Sequence, residues 1–130
     1  MDWNYNDLCN WTDENIIPNV TTLNISNNIN INDFASRILQ LIYLYVNSLK
    51  IFKFNLNIFP LKIFKLINLQ KFDCSNNQIT NLPNEIEQLI NLQKFYCSNN
   101  QITNLPNEIG QLINLRIFDC SNNQITNLPN

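Results

Sequence analysis

The sequence predicts an α/β solenoid, in which short strands stack along one side and short helical or 3₁₀ segments along the other. The first observation behind this prediction is repetition. Residues 68–90 and 91–113 differ at only two positions, and a third copy begins at Asn114, so the copies recur with a period of 23. The second and third observations are the spacings of apolar residues at the start and at the end of each copy. Because one such unit cannot bury its apolar side alone, neighbouring copies must stack to form a continuous core.

Each copy begins with a pattern that is typical of a half-buried strand and ends with one that is typical of a helical turn. Phe72 and Cys74 are separated by one residue and are flanked by polar residues, which is the alternation of a strand. Pro83 has no backbone N–H and a fixed φ, so it ends the extended run and can open a helical turn. Ile86 and Leu89 follow at a spacing of three, which fits one helical or 3₁₀ turn.

An asparagine recurs at the third position after the cysteine of each copy. We interpret it as an interior ladder at the corner where the strand ends, with each amide bonding backbone groups of its own coil and of the neighbouring coil. A buried amide without such partners would cost about 1–3 kcal/mol per unsatisfied group. The alternative is a solvated loop asparagine in an asparagine-rich chain. The predicted ladder, with the equivalent positions of two upstream repeats, consists of Asn28, Asn57, Asn77, Asn100 and Asn123.

These positions resemble the consensus of a known repeat family. The family is the leucine-rich repeats, in the intracellular subclass with the same period, and the positions that carry the resemblance are Leu69-x-x-Phe72-x-Cys74-x-x-Asn77-x-Ile79 and Leu82-Pro83-x-x-Ile86-x-x-Leu89. Phe and Cys stand where leucine is usual, and both are compatible with a packed interior. The resemblance is strong over residues 68–130, and it implies a curved right-handed solenoid with a concave parallel sheet that binds other proteins. The segment CSNNQITNLPN also resembles repeat proteins of amoeba-infecting giant viruses.

The chain divides into an N-terminal cap and a solenoid. Residues 1–18 match no repeat and are predicted to cover the first coil, as a short helix followed by a lead-in. The solenoid occupies residues 19–130. Its predicted repeats are 19–42, 48–67 (degenerate), 68–90, 91–113 and 114–130 (partial), with an insertion at 43–47.

The two upstream repeats depart from the regular pattern. Asp33 is predicted to cap the N-terminus of a helix whose apolar spacing runs from Phe34 to Leu49. In the degenerate repeat, Leu49 and Phe52 are assigned to the positions that Leu69 and Phe72 hold in the first regular copy. That alignment leaves a gap of three before Pro60, so a tighter corner is expected there.

Composition and motifs argue against several classes of function. The formal net charge of −2 gives no general basic footprint for nucleic acid. The chain has no histidine and no glycine-rich phosphate loop, and its downstream serines recur with the repeat, so neither catalysis nor a cofactor is expected. Residues 1–10 are acidic and polar rather than typical of a signal peptide, and the apolar-rich run at 38–49 is too short to span a membrane. We therefore expect an intracellular, cytoplasmic protein.

Three of the four cysteines recur at one interior position of successive copies: Cys74, Cys97 and Cys120. Stacked coils would place them about 5 Å apart, the spacing of neighbouring strands. That distance admits a disulfide or a soft-metal site in principle. Because the chain has no histidine and no CxxC pair, a zinc site is not expected, and we predict buried, reduced thiols.

If the strands form a concave sheet, the residues that flank each buried pair face outward. We expect five cations and two anions on this side, whereas the convex side of the regular repeats carries Glu85, Glu87 and Glu108. The sequence therefore predicts a protein partner with an acidic surface, with Tyr96 and Ile117 as apolar anchors. A solvated sheet without an evolved partner is the alternative. The candidate partner-binding residues are Lys50, Ile51, Lys53, Lys71, Asp73, Lys94, Tyr96, Arg116, Ile117 and Asp119.

The last repeat stops after its corner, without a return segment or a capping sequence. Its strand, roughly Arg116 to Cys120, would then present an unpaired edge, and such edges favour association. Two explanations follow: the chain is a remnant of a longer array, or that end is covered by a partner or by a second copy in end-to-end self-association. A structural or virion-associated repeat protein without a discrete partner is a further class.

Overall fold

In the computed structural model, residues 2–4, 7, 22–26, 47–52 and 61–129 are described. Within these residues, six strands form one parallel sheet in which spatial order follows chain order. The strands are β1 (Asp2–Asn4), β2 (Thr22–Ser26), β3 (Ser48–Phe52), β4 (Lys71–Asp73), β5 (Lys94–Tyr96) and β6 (Ile117–Asp119). Three 3₁₀ segments lie between them: η1 (Leu61–Lys65), η2 (Asn84–Gln88) and η3 (Asn107–Gln111). The predicted fold class is confirmed.

The 3₁₀ segments of the regular repeats begin directly after the prolines, as the Leu-Pro positions predicted. Pro83 and Pro106 precede η2 and η3 with extended backbone, at ψ values of 155° and 145°. A proline there costs nothing in hydrogen bonding, because the first N–H groups of a helical segment have no partner within it. No helix in the described part of the chain is both long and apolar enough to cross a bilayer.

The core is a set of columns that run through successive coils. Phe72, Phe95 and Phe118 stack with ring centroids 5.6 and 5.5 Å apart and interplanar angles of 19° and 5°. Cys74 and Cys97 are fully buried beside this column. Equivalent residues of successive repeats therefore lie on top of one another, so each coil buries its apolar side against the next, as expected of repeat proteins.

The register of β3 corrects the predicted alignment of the second repeat. Leu49 pairs with Phe72, and Lys50 pairs with Asp73. Phe72 was predicted to align with Phe52 instead. Counting back one repeat period from Asn68, the second repeat spans residues 45–67, and Pro60 then falls at the position of Pro83. In this alignment the sequence has no gap before Pro60, so it no longer predicts a tighter corner; the corner itself, at residues 53–60, lies outside the described residues.

Two other upstream expectations also change. Leu49 lies in β3, so the helical spacing that ended at this residue does not describe its conformation. Residues Asp2–Asn4, within the predicted cap, form a strand that pairs in parallel with β2. Asn4 and Asp7 exchange backbone-to-side-chain hydrogen bonds of 2.8 and 3.1 Å, the reciprocal arrangement of a capping box. Asp33 and the proposed insertion, apart from Asn47, lie outside the described residues.

Candidate functional site

One side of the sheet is formed by side chains that alternate with the buried core residues. We call it the strand face. Because β3 to β6 are parallel and in register, their exposed residues form two rows across the sheet. The strand face of β3 to β6 consists of Ser48, Lys50, Lys71, Asp73, Lys94, Tyr96, Ile117 and Asp119, and we count with it the exposed Arg116, which directly precedes β6.

The charges on the strand face are unequal. Its described residues include four cations and two anions. Lys50 Nζ lies 3.9 Å from Asp73 Oδ2, and the Lys50 side chain is 48% exposed. Such an exposed pair contributes little to stability. Lys71 Nζ lies 5.6 Å from the centroid of the Tyr96 ring, a cation–π contact that holds the lysine over the neighbouring strand.

A two-by-two patch lies on β5 and β6. Lys94 is the register partner of Ile117, and Tyr96 is the register partner of Asp119. Ile117 is 42% exposed, whereas Tyr96 is half-buried. The patch therefore combines an aromatic ring and an exposed aliphatic side chain with one cation and one anion, Lys94 and Asp119. The exposed Arg116 directly precedes β6.

An open cavity of about 170 Å³ lies at the amino-terminal ends of β3, β4 and β5. Sequence reasoning did not identify it, because nothing in the sequence indicates that the starts of neighbouring strands enclose a cavity. The repeat period does link two of its pairs, Gln70 with Gln93 and Lys71 with Lys94. The cavity is lined by Asn47, Ser48, Gln70, Lys71, Gln93 and Lys94.

The aspartates at the carboxyl ends of β4 and β6 bond the turns that follow them. Asp73 Oδ1 accepts the backbone N–H of Ser75 at 3.0 Å. Asp119 Oδ1 accepts both the backbone N–H and the hydroxyl of Ser121, at 3.0 and 2.6 Å. The Ser121 hydroxyl, followed by its N–H, lowers the pKa of the Asp119 carboxyl below its usual value, because both bonds favour the charged form.

One predicted partner-binding residue is wrong. Ile51 is fully buried and belongs to the core, at the position that Cys74 holds in the next coil. The register error explains this, because the corrected alignment exchanges the inward and outward sides of β3. Lys50 remains outward, at the position of Asp73. Lys53 lies outside the described residues.

The asparagines at the strand corner bridge neighbouring coils. Asn100 Nδ2 donates to the carbonyls of Cys74 and Cys97 at 3.1 and 3.0 Å, and Asn100 Oδ1 accepts the N–H of Ile79 at 3.0 Å. Asn123 repeats these contacts one coil later. Asn77 donates to the Ile51 and Cys74 carbonyls at 3.0 and 2.9 Å.

The two upstream members of the predicted ladder are not part of the described structure. Asn28 and Asn57 both lie outside the described residues. In the corrected alignment, the position of Asn77 falls on Phe54 in the second repeat, so Asn57 no longer matches the ladder.

Further asparagines with structural roles were missed. Asn91 Nδ2 donates to the Ile67 carbonyl at 2.8 Å, and Asn114 Nδ2 to the Ile90 carbonyl at 2.9 Å, so the first residue of each coil bonds the residue that directly precedes the neighbouring coil. A separate row has left-handed backbone, at φ values of 52° to 59°, which asparagine tolerates better than most residues. This row is Asn76, Asn99 and Asn122. Recurrence at the repeat period was the available signal for both sets.

The three periodic cysteines are free thiols. Burial, with the neighbouring Cys97 as a smaller cause, raises the pKa of the Cys74 thiol well above its usual value. Burial likewise raises the pKa of Cys97, whereas the Cys120 side chain is only half-buried. Within the described residues, no group of His, Cys, Asp and Glu is arranged to hold a metal ion.

The acidic residues predicted for the opposite side lie in the 3₁₀ segments. Glu85 and Glu87 are in η2, and Glu108 is in η3. The upstream segment η1 has no acidic residue in its first turn and carries the exposed Lys65. The acidic character of this side therefore belongs to the two regular repeats rather than to every coil.

These features define a class of protein: a solenoid of stacked coils, each with one short parallel strand and one 3₁₀ segment. A family model described as Leucine Rich repeats (2 copies) matches residues 67–107 and 90–130. Together with the fold, this match makes the chain a leucine-rich repeat protein.

A solved structure agrees with this assignment. A leucine-rich repeat protein from Leptospira interrogans is similar at 35% sequence identity and a TM-score of 0.75, over 85% of this chain and 28% of that one. The chain therefore spans less than a third of that protein's length. An internalin from Listeria monocytogenes is more distantly similar, at 20% identity and a TM-score of 0.49, over 83% of this chain and 36% of that one. No curated protein matches the chain.

Proposed function

We propose that this chain is a non-enzymatic interaction module whose strand face, on the concave side of the solenoid, binds a protein partner with an acidic surface. Leucine-rich repeats suggest protein–protein interaction as the general function, and the family consists mostly of non-enzymatic scaffolds. The patch on β5 and β6 is the observation that carries the narrower proposal. Tyr96 and Ile117 offer apolar contact area, and Lys94 and the exposed Arg116 supply two positive charges against the one negative charge of Asp119.

The physical basis is a division of roles between apolar and charged residues. Aromatic anchors near the centre of an interface supply most of the binding energy, because water is excluded from them on binding. The surrounding cations act at longer range and favour encounters with acidic surfaces. The excess of cations on the strand face, four to two among its described residues, supports an acidic partner.

Affinity capture from the native cell, followed by binding measurements on the captured partner, tests the proposal. The Tyr96→Ala and Arg116→Gln variants should each bind at least about tenfold more weakly, the loss typical of an interface hot spot. Gln101→Ala is the matched control, because Gln101 is exposed but lies after the strand. If all three variants bind like the wild-type protein, the strand face is not the interface.

Other expectations stay predictions. They are the assignment to the intracellular subclass of leucine-rich repeats, the similarity to repeat proteins of giant viruses and the cytoplasmic location. Two alternatives to the interaction module also stay open: a remnant of a longer repeat array, and a structural or virion-associated protein without a discrete partner. Self-association through the last coil also stays a prediction.

A further inference from the structure

The carboxylates on the 3₁₀ side of the regular repeats have no partner of opposite charge. Glu85 and Glu87 in η2 and Glu108 in η3 are half-buried, and neither segment has a basic residue in its last turn. Within the described residues, none of the three carboxylates forms an ion pair. Glu85 and Glu108 stand one repeat period apart, on segments that are in contact with each other. This side therefore presents negative charge that the described part of the chain does not neutralise.

The strand face carries the complementary charge. Lys71 and Lys94 are register partners on β4 and β5, so they too stand one repeat period apart. Neither these lysines nor Arg116 forms an ion pair in the part of the chain that the structure describes. The two aspartates of this face are already engaged, one with a lysine and both with the turns that follow them. In backbone position, the cations of one surface and the anions of the other therefore recur with the same step of one coil.

Gly110 leaves open space on the 3₁₀ side that the fold itself does not require. It is the single glycine of the chain, and it stands in η3 at the position that Glu87 holds in η2. Its φ is not positive, and a Cβ atom placed on it would meet no atom within 4 Å. Neither the backbone conformation nor close packing therefore demands a glycine here. The exposed Gly110 and the half-buried Ile109 form a small uncharged spot beside Glu108.

We infer that the strand face binds the 3₁₀ side of a second copy of this chain. The row of Lys71 and Lys94 on one copy faces the row of Glu85 and Glu108 on the next, and the space at Gly110 admits a side chain of the strand face. Complementary charge of this kind selects the partner and fixes the register of the contact. The inference rests on the proposed function, and it names the acidic partner.

The two surfaces lie on different sides of the molecule, so the contact is heterologous. Each copy uses its strand face toward one neighbour and its 3₁₀ side toward another, and copies can therefore add into open chains. This arrangement differs from end-to-end association, which would use the last coil.

Sedimentation velocity of the full chain, at concentrations up to about 1 mM, measures the association directly. We expect assembly that grows with concentration and weakens as the salt concentration is raised, because salt screens charges at an exposed interface. A wild-type chain that stays monomeric over this range overturns the inference. That result would leave the proposed function standing, since the Tyr96 and Arg116 variants still report on a different acidic partner captured from the cell.

Two variants, each of which disables one surface, identify the contact. Lys94→Glu reverses a charge on the strand face, and Gly110→Trp fills the open space on the 3₁₀ side without a clash inside its own copy. Each variant alone should associate at least about tenfold more weakly than the wild-type chain. A mixture of the two should form a dimer of one copy of each and nothing larger, because each variant keeps one intact surface.

The matched controls are Gln101→Glu and Gln101→Trp, since Gln101 is exposed but lies after β5, on neither surface. Both should assemble like the wild-type chain, and circular dichroism checks that all four variants keep the wild-type fold. Equal losses in the controls, full association of either surface variant alone, or a mixture that stays monomeric would each overturn the inference.

Discussion

Replacing Asn100 with alanine removes one asparagine from the interior ladder without changing the apolar core. Its side chain makes two kinds of contact: Oδ1 accepts the N–H of Ile79, and Nδ2 donates to the carbonyls of Cys74, Cys97 and Ser98. Asn100 is 8% exposed, so water cannot easily replace these bonds. We predict a loss of stability that is due mainly to one group, the Ile79 N–H, which is left without a hydrogen-bond acceptor.

The size of that loss follows from the remaining partners. The Cys74 carbonyl keeps Asn77 Nδ2 at 2.9 Å, and the Cys97 carbonyl keeps Asn123 Nδ2 at 3.0 Å. The Ile79 N–H instead loses its acceptor, and a buried donor without a partner costs about 1–3 kcal/mol. Adding about 1 kcal/mol for the net value of the lost carbonyl bonds gives an expected decrease of about 2–4 kcal/mol in the free energy of unfolding.

Two measurements check this prediction. Urea denaturation followed by circular dichroism gives the change in stability, and native-state hydrogen exchange reports the Ile79 amide directly. Asn123→Ala is the matched control, because Asn123 makes the same contacts but is only half-buried, so water can replace them. We expect it to lose about 1 kcal/mol. If Asn100→Ala loses no more than this control, or if the Ile79 amide stays protected, the reasoning is wrong.

Three further predictions concern the columns and turns. Asn99 has a φ of 54°, so Asn99→Ala should be about 1 kcal/mol less stable than Asn99→Gly in denaturant unfolding; equal stabilities would contradict a backbone cause. Phe95→Ala should cost about 3–5 kcal/mol and more than Phe118→Ala, since Phe95 stacks on both Phe72 and Phe118 and is fully buried, whereas Phe118 is half-buried. Ser121→Ala should raise the pKa of the Asp119 carboxyl in an NMR titration, because it removes the hydroxyl that favours the charged form. In the wild-type protein the pKa of Asp119 is lower in the folded state than in the unfolded state. The bond therefore stabilises the fold above the usual pKa of 3.8, and this contribution is lost as the pH falls through the lower folded pKa. An unchanged Asp119 pKa in that variant would contradict the assigned cause.

The period alone predicted most of the regular region. Strict recurrence of the same pattern placed the strands around Phe72, Phe95 and Phe118 and the turns after the Leu-Pro pairs, because local pattern and stacking require the same arrangement. Contacts such as Lys71 with Tyr96 were not predictable in this way. They depend on which direction a side chain takes across the sheet, and the alternation of residues does not determine that direction.

The second repeat shows where alternation fails as evidence. Leu49 and Ile51 are buried in the core. Phe52 and Phe54 are also apolar and separated by one residue, so the sequence allows two alignments of this strand, which differ by an odd number of residues. Such a shift exchanges the two sides of the strand. The spacing of one full period between Pro60 and Pro83 would have selected the correct phase. Alignment on Asn57 selected the other phase, because it assumed that every coil carries its own ladder asparagine.

The direction of the asparagine contacts explains why that assumption is unnecessary. Asn100 accepts the N–H of Ile79 and donates to the Cys74 carbonyl, so it satisfies polar groups of the coil that precedes its own. Asn77 likewise donates to the Ile51 carbonyl of the second repeat. In the corrected alignment, that repeat has Phe54 at its own ladder position. A coil without an asparagine can therefore end its strand with a bonded carbonyl, provided that the following coil supplies the amide. Each ladder asparagine should therefore stabilise the coil before its own as well as the corner of its own strand.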